Sequence, residues 1–150
     1  MANTYSQLYL HFVFATKPSP LSYVKEEQRE ELEKYITGVI ANNQCKLFAI
    51  YCNPDHTHLL VSIKPTTPIS TLIQKIKSNS SRFIHTRFLN RHFAWQDGYG
   101  VFSCSPNAKG TVYKYILNQR EHHQRRSFKD EYIFMLDQAG IEYDPKFIFL

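Results

Sequence analysis

A chain of 150 residues suits one domain, and at that length folding hides roughly 68–70% of the unfolded surface, so no disulfide or structural metal is needed to support a core. Apolar residues make up 43%, with only five glycines and seven prolines, which excludes a disordered or low-complexity chain. Lys and Arg outnumber Asp and Glu by 18 to 13, and the acids gather at Glu26–Glu33 and after Asp130, so the stretch Lys64 to Arg126 is basic and suits either a polyanionic partner or a solvated face.

Residues 5–16, rich in Tyr, Phe, Val and Leu, read as a first strand closed by Lys17-Pro18-Ser19-Pro20. The same segment lacks the basic start of a signal peptide, and no stretch is long enough to span a membrane, which implies the cytoplasm. From Lys25 to Asn43 the pattern becomes helical, with Leu32, Tyr35, Ile36, Val39 and Ile40 at spacings of three and four. Two strand-like runs follow, Cys45–Cys52 and His58–Ile63, separated by the turn residues Asn53-Pro54-Asp55. Cys45, Cys52 and Cys104 are odd in number and lack CxxC spacing, which argues against a disulfide framework or a cysteine zinc site.

After Thr67-Pro68 a second helix carries Ile69, Leu72, Ile73, Ile76, Phe83 and Phe88 as an apolar stripe. Its other face bears Lys75, Lys77 and Arg82, and these with Arg87 are the first-ranked phosphate contacts, ahead of Arg120, Arg125 and Arg126. The aromatic loop Phe93–Gly98 leads to a fourth strand near Tyr99–Ser103, with Trp95 expected in the core. A third helix is expected over about 107–124, and Ser127-x-x-Asp130 can cap a fourth. The order β-α-β-β-α-β followed by helices is that of an α+β, ferredoxin-like split β-α-β sandwich: an antiparallel sheet with two helices on one face.

Two constellations could carry chemistry. In a strand, residues i and i+2 share a face, so His56 and His58 can present two imidazoles side by side and suit a divalent metal acting on a phosphate. An isolated His-x-His pair is also what two half-buried histidines near a turn look like. At helical spacing, Val112, Tyr113, Ile116 and Leu117 share an apolar face, whereas Tyr115, Asn118, Gln119 and His122 form a polar one. Tyr115 is then either a reactive phenol or a surface tyrosine bonded to Gln119. His11, His85 and His92 take structural or DNA-facing roles.

Together, His56-Thr57-His58-Leu59-Leu60-Val61 resembles the HUH motif, and Tyr115-Ile116-x-Asn118-Gln119 with His122-His123 resembles the tyrosine helix of the small single-tyrosine HUH transposases of insertion sequences, the TnpA-type, IS200-like family. The loop Trp95–Ser103 and the tail Ser127-Phe128-x-x-Glu131-Tyr132 are similar to that family too, so the likeness spans nearly all of residues 1–150 as one transposase domain. The resemblance implies that His56, His58 and Gln119 ligate Mg²⁺ or Mn²⁺, and that Tyr115 attacks single-stranded DNA to leave a 5′-phosphotyrosine. It further implies a homodimer binding hairpins at element ends, with the tyrosine of one subunit at the His pair of the other. Thr57 departs from the bulky apolar residue usual between the histidines, but in a strand it points away from the metal face. Three rival readings remain. One is a domesticated relative acting on repeated extragenic palindromes. Another is a non-catalytic nucleic-acid module, whose glycine- and aromatic-rich signature is missing. The third is a zinc hydrolase using Asp55, which as a strand neighbour of His56 would point to the opposite face.

Overall fold

A computed structural model describes residues 3–149. Four antiparallel strands, β1 (Tyr9–Ala15), β2 (Lys46–Cys52), β3 (His56–Ser62) and β4 (Gly100–Cys104), form one sheet in the order β2-β3-β1-β4. With α1 (Arg29–Asn42) and α2 (Ile69–Arg87) as crossovers, this is the expected split β-α-β arrangement. β1 is shorter than the expected 5–16. β3 begins two residues earlier than expected, so both histidines lie inside the ladder, with Ala15 opposite His56 and Val13 opposite His58.

Alternation along the strands divides the chemistry from the packing. Phe12, Phe14, Thr57, Leu59 and Val61 turn toward α1 and α2, where all but Thr57 join Leu32, Ile36, Ile40, Leu72, Ile76 and Trp95 in the main core. Each such side chain, fully buried, contributes about 1.5–3 kcal/mol. Trp95 packs edge-on against Phe14 and donates its indole N–H to Ser80 Oγ at 3.0 Å, so the core role expected of it holds. His11, Val13, Ala15, His56, His58 and Leu60 face the other way, toward α3 (Lys109–Leu117), α4 (Gln119–His123) and α5 (Phe128–Gln138).

The expected helix over 107–124 is two helices. The ladder breaks at Asn118, which caps α3 and opens α4. The apolar-face assignment there is also corrected: Tyr113 and Leu117 are exposed, while Ile116, Val112 and Tyr115 pack on Ala49 and Leu60. Ser127 caps α5 by accepting from Asp130 N–H at 3.2 Å, as its spacing predicts. Opposite α5, Gly100 leaves room for Tyr132: a Cβ there would stand 2.8 Å from the Tyr132 ring.

Thr57 does point into the main core, fully buried, and among the described residues its hydroxyl makes no geometrically sound hydrogen bond, with only the weak Cys52 thiol across the ladder at hand. Thr57→Val is therefore expected to stabilise the fold by about 1 kcal/mol, since a buried unpaired hydroxyl is replaced by a methyl of similar shape. A denaturation midpoint that rises at unchanged slope would show it. A falling midpoint would mean that the hydroxyl finds a partner.

Candidate metal and tyrosine centre

The centre assembles on the sheet face opposite α1 and α2. His56 and His58 are held with no exposed surface by β3, between β2 and β1. α4 brings His123 over them, and the first turn of α5 brings Glu131, which is 1% exposed. One ligand atom from each of these four residues lies within 4.8 Å of the others. Glu131 Oε1 is the hub, at 3.0 Å from His58 Nε2 and 3.3 Å from both His56 Nε2 and His123 Nε2. Three imidazoles and a carboxylate converging within 4.8 Å of one another suit a divalent cation in their chemistry.

Each imidazole is oriented from behind. Asp55 Oδ1 meets His56 Nδ1 at 2.7 Å, and His11 Nε2 meets His58 Nδ1 at 2.8 Å. His123 Nδ1 lies 3.1 Å from the Arg126 carbonyl. In all three the Nε2 atom is left to face the centre, the arrangement by which outer partners fix a ligating tautomer. Asp55 does not project to the opposite face as strand alternation suggests. It precedes β3, where its carboxylate curls back to the far nitrogen of His56, away from the cluster.

Burial lowers the pKa of His58 to about 4 and, with the charge of His58 added, that of His11 to about 3, so both are neutral at pH 7. Burial also opposes charge on His56, but hydrogen bonds to Asp55 and Glu131 outweigh it and hold its pKa above the ordinary histidine value. For Glu131, burial favours the neutral acid. The bonds from His123, His56 and His58 overcome this and keep it ionised far below the carboxylate range. Its position in the first turn of α5 acts in the same sense, facing the positive end of the helix.

Tyr115, from α3, reaches the same hub: its hydroxyl donates to Glu131 Oε2. The ring lies against His122 at a tilt, with centroids 4.6 Å apart. Burial first, then the bond to Glu131, raises the pKa of the phenol well above its ordinary value. Gln119, fully buried, directs Oε1 to His123 Nε2 at 2.9 Å and accepts from Asn53 Nδ2 at 3.2 Å.

The family model "Transposase IS200 like" matches residues 4–119. The chain belongs to the IS200-like transposase family. It is 26% identical over 121 residues to the ISDra2 transposase TnpA of Deinococcus radiodurans, covering 77% of this chain and 86% of that one. Identity to the transposase of insertion sequence IS200 from Salmonella typhimurium is 27% over 133 residues, covering 81% and 82%. In structure, the chain superposes with a TM-score of 0.64 on a transposase from Deinococcus radiodurans, at 24% identity over 79% of this chain and 95% of that one. A REP-associated tyrosine transposase bound to a REP hairpin gives a TM-score of 0.62 at 16% identity, over 82% and 73%. Both show the fold.

In this transposase the residues singled out from sequence divide by sheet face. His56, His58, Tyr115 and Gln119 come together. Lys75, Lys77, Arg82 and Arg87 do not: they belong to α2, across the sheet from the centre. Lys75 Nζ bonds Asn43 Oδ1 at 3.0 Å, Lys77 is taken up by the carbonyls of Gln96 and Gly98, and Arg87 pairs with Glu31 at 2.9 Å. His123, Glu131, Asn53 and the backing role of His11 escaped the reading of roles. His123 and Glu131 also lie beyond the residues that the family model matches. Within the single chain, Tyr115 lies beside its own histidines. No helix among the described residues is long and apolar enough to cross a membrane.

Proposed function

We propose that this transposase cleaves and rejoins single-stranded DNA at a divalent metal, with Tyr115 as nucleophile. The observation that carries the reading is the double use of Glu131, whose Oε1 faces three imidazoles while Oε2 holds the Tyr115 hydroxyl. His56, His58, His123 and Glu131 would hold the cation, with Gln119 Oε1 able to join them in place of one. A cation bound there supplies positive charge to a phosphate oxygen as negative charge builds in the transition state. A set rich in imidazole favours Mn²⁺ over Mg²⁺.

The chain's own groups do the rest. Glu131 fixes the phenol oxygen beside the cluster, and Asp55 and His11 keep His56 and His58 aimed at it. As Tyr115 Oη forms its bond to phosphorus its proton is released to solvent, the bond from phosphorus to the 3′-oxygen breaks, and that oxygen takes up a proton from solvent and leaves as a hydroxyl, so no net proton is consumed. The 5′-phosphotyrosine is still a diester, so the 3′-hydroxyl can reverse the step without ATP. Substrates are single strands from element ends, with their hairpins. The neighbour bound to a REP hairpin supports this substrate class and equally a role on chromosomal palindromes. A homodimer, with two such sites, would serve the two ends.

The test is incubation with a single strand from the element's end plus Mn²⁺. A covalent protein–DNA adduct is expected, lost in chelator and in His56→Ala and His58→Ala. Mn²⁺ should also raise the Tm of the wild type, because a ligand that binds only the folded state stabilises it, and the rise should vanish in the same two variants. Full activity in chelator, or equal cutting of duplex and single strand, refutes the reading.

A further inference from the structure

Tyr115 is reached from outside through a pocket of about 390 Å³ lined by Tyr115, His122, Arg125, Arg126, Glu131 and Phe134. Its floor is the phenol and the carboxylate that holds it. Its rim is cationic: Arg125 and Arg126 are both exposed. Three other arginines are engaged by carboxylates, Arg29 by Glu26 and Glu33, Arg87 by Glu31, and Arg120 by Glu26, while Arg82 and Arg91 are exposed but do not line this pocket. Among the described residues neither Arg125 nor Arg126 meets a carboxylate. Arg126 is instead laid over the ring of Phe134, its guanidinium carbon 4.8 Å from the centroid, and Phe134 is half exposed. Stacking restricts the guanidinium but consumes none of its N–H donors. Two unpaired arginines at the rim of a pocket whose floor is a nucleophile are complementary to a polyanion and to little else.

We propose that Arg126, braced by Phe134 and assisted by Arg125, grips a backbone phosphate of the DNA strand and holds that strand against Tyr115. The inference rests on the cleavage reading above and adds the group that captures the substrate. A planar fork can take two phosphate oxygens at once, which fixes direction as well as distance. Phe134 is a positioning residue: it touches no DNA and acts through Arg126.

Two measurements on the full chain separate this proposal from the reading it rests on. Binding of an uncleaved single-stranded oligonucleotide is titrated against salt, without metal. Arg126→Ala should flatten the slope of log K against log salt by about 0.7, the value for one phosphate contact on a single strand. Arg126→Lys keeps the charge and should keep the slope. Adduct formation is then followed with Mn²⁺. Arg126→Ala should lower kcat/KM by about tenfold to a hundredfold, as expected for one charge-assisted bond. Arg126→Lys should lie between, Phe134→Ala should follow Arg126→Lys, and Phe134→Tyr should stay near wild type. The Mn²⁺-dependent rise in Tm should persist in all of them, which excludes collapse of the cluster. An unchanged slope in Arg126→Ala, or one lowered equally by Arg126→Lys, overturns the grip whatever the adduct assay gives. Phe134→Ala matching wild type overturns the brace. Absence of any adduct in the wild type, with the slope change intact, defeats the cleavage reading and leaves phosphate capture standing.

Discussion

Tyr115→Phe is expected to abolish covalent attachment to single-stranded DNA, while Tyr113→Phe leaves it near the wild-type level. Successive helical positions turn by about 100°, so these two tyrosines point roughly 200° apart. The structure sends Tyr115 to Glu131 and the histidines, and leaves Tyr113 41% exposed on the other side of α3. Removing one oxygen from Tyr115 keeps the ring that packs near Ile116 and Leu60, so the fold should survive. The lost hydrogen bond to a buried carboxylate should cost about 1–3 kcal/mol. Activity should fall by on the order of a thousandfold or more, the scale on which removal of a nucleophile acts in covalent enzymes. Denaturing gels after reaction with a labelled strand measure it. An adduct that persists in Tyr115→Phe and disappears in Tyr113→Phe would reassign the nucleophile.

How much of this was legible depends on where each signal lies along the chain. The sheet was readable because its strands alternate and its crossover helices have apolar stripes at helical spacing, both local properties. The same alternation put His56 and His58 on one face and Thr57 on the other. The tyrosine helix was misread for a physical reason. Amphipathic pattern assumes that polar side chains face water, but Tyr115 and Gln119 turn inward to meet the histidines on the sheet and α4 and the carboxylate of Glu131 on α5. The role of Glu131 was out of reach for another reason: the stretch Ser127-Phe128-x-x-Glu131-Tyr132 marks the likeness, but Glu131 lies 73 residues from His58, and sequence alone does not say that the two meet. Lys77 and Arg87 looked available because composition counts charges without counting their partners. The structure supplies those partners, while Arg82, Arg125 and Arg126 are exposed with no carboxylate partner among the described residues.

Mixing Tyr115→Phe chains with His58→Ala chains is expected to restore no cleavage. The family resemblance implied a site shared between subunits, in which each mixed dimer would regain one working site of two, or up to about half of the wild-type activity. In this structure the phenol and the imidazoles of one chain meet. Ile116, one residue beyond the tyrosine, is fully buried against Ala49 and Leu60 of the same sheet. α5 is tied to the same face: Phe128 stacks on His56 with centroids 4.0 Å apart, and Tyr132 fills the space above Gly100. Lending Tyr115 to a partner would therefore uncover Ile116 and empty one oxygen of Glu131 unless the partner returned the same groups. If the site is complete in one chain, every mixed site lacks either the phenol or an imidazole, and only background adduct should appear. The decisive measurement uses chains of different mass, so that an adduct can be assigned to its carrier. Adduct on the His58→Ala chain, whose tyrosine is intact, would show that the histidines of one chain serve the tyrosine of another and would overturn the single-chain site.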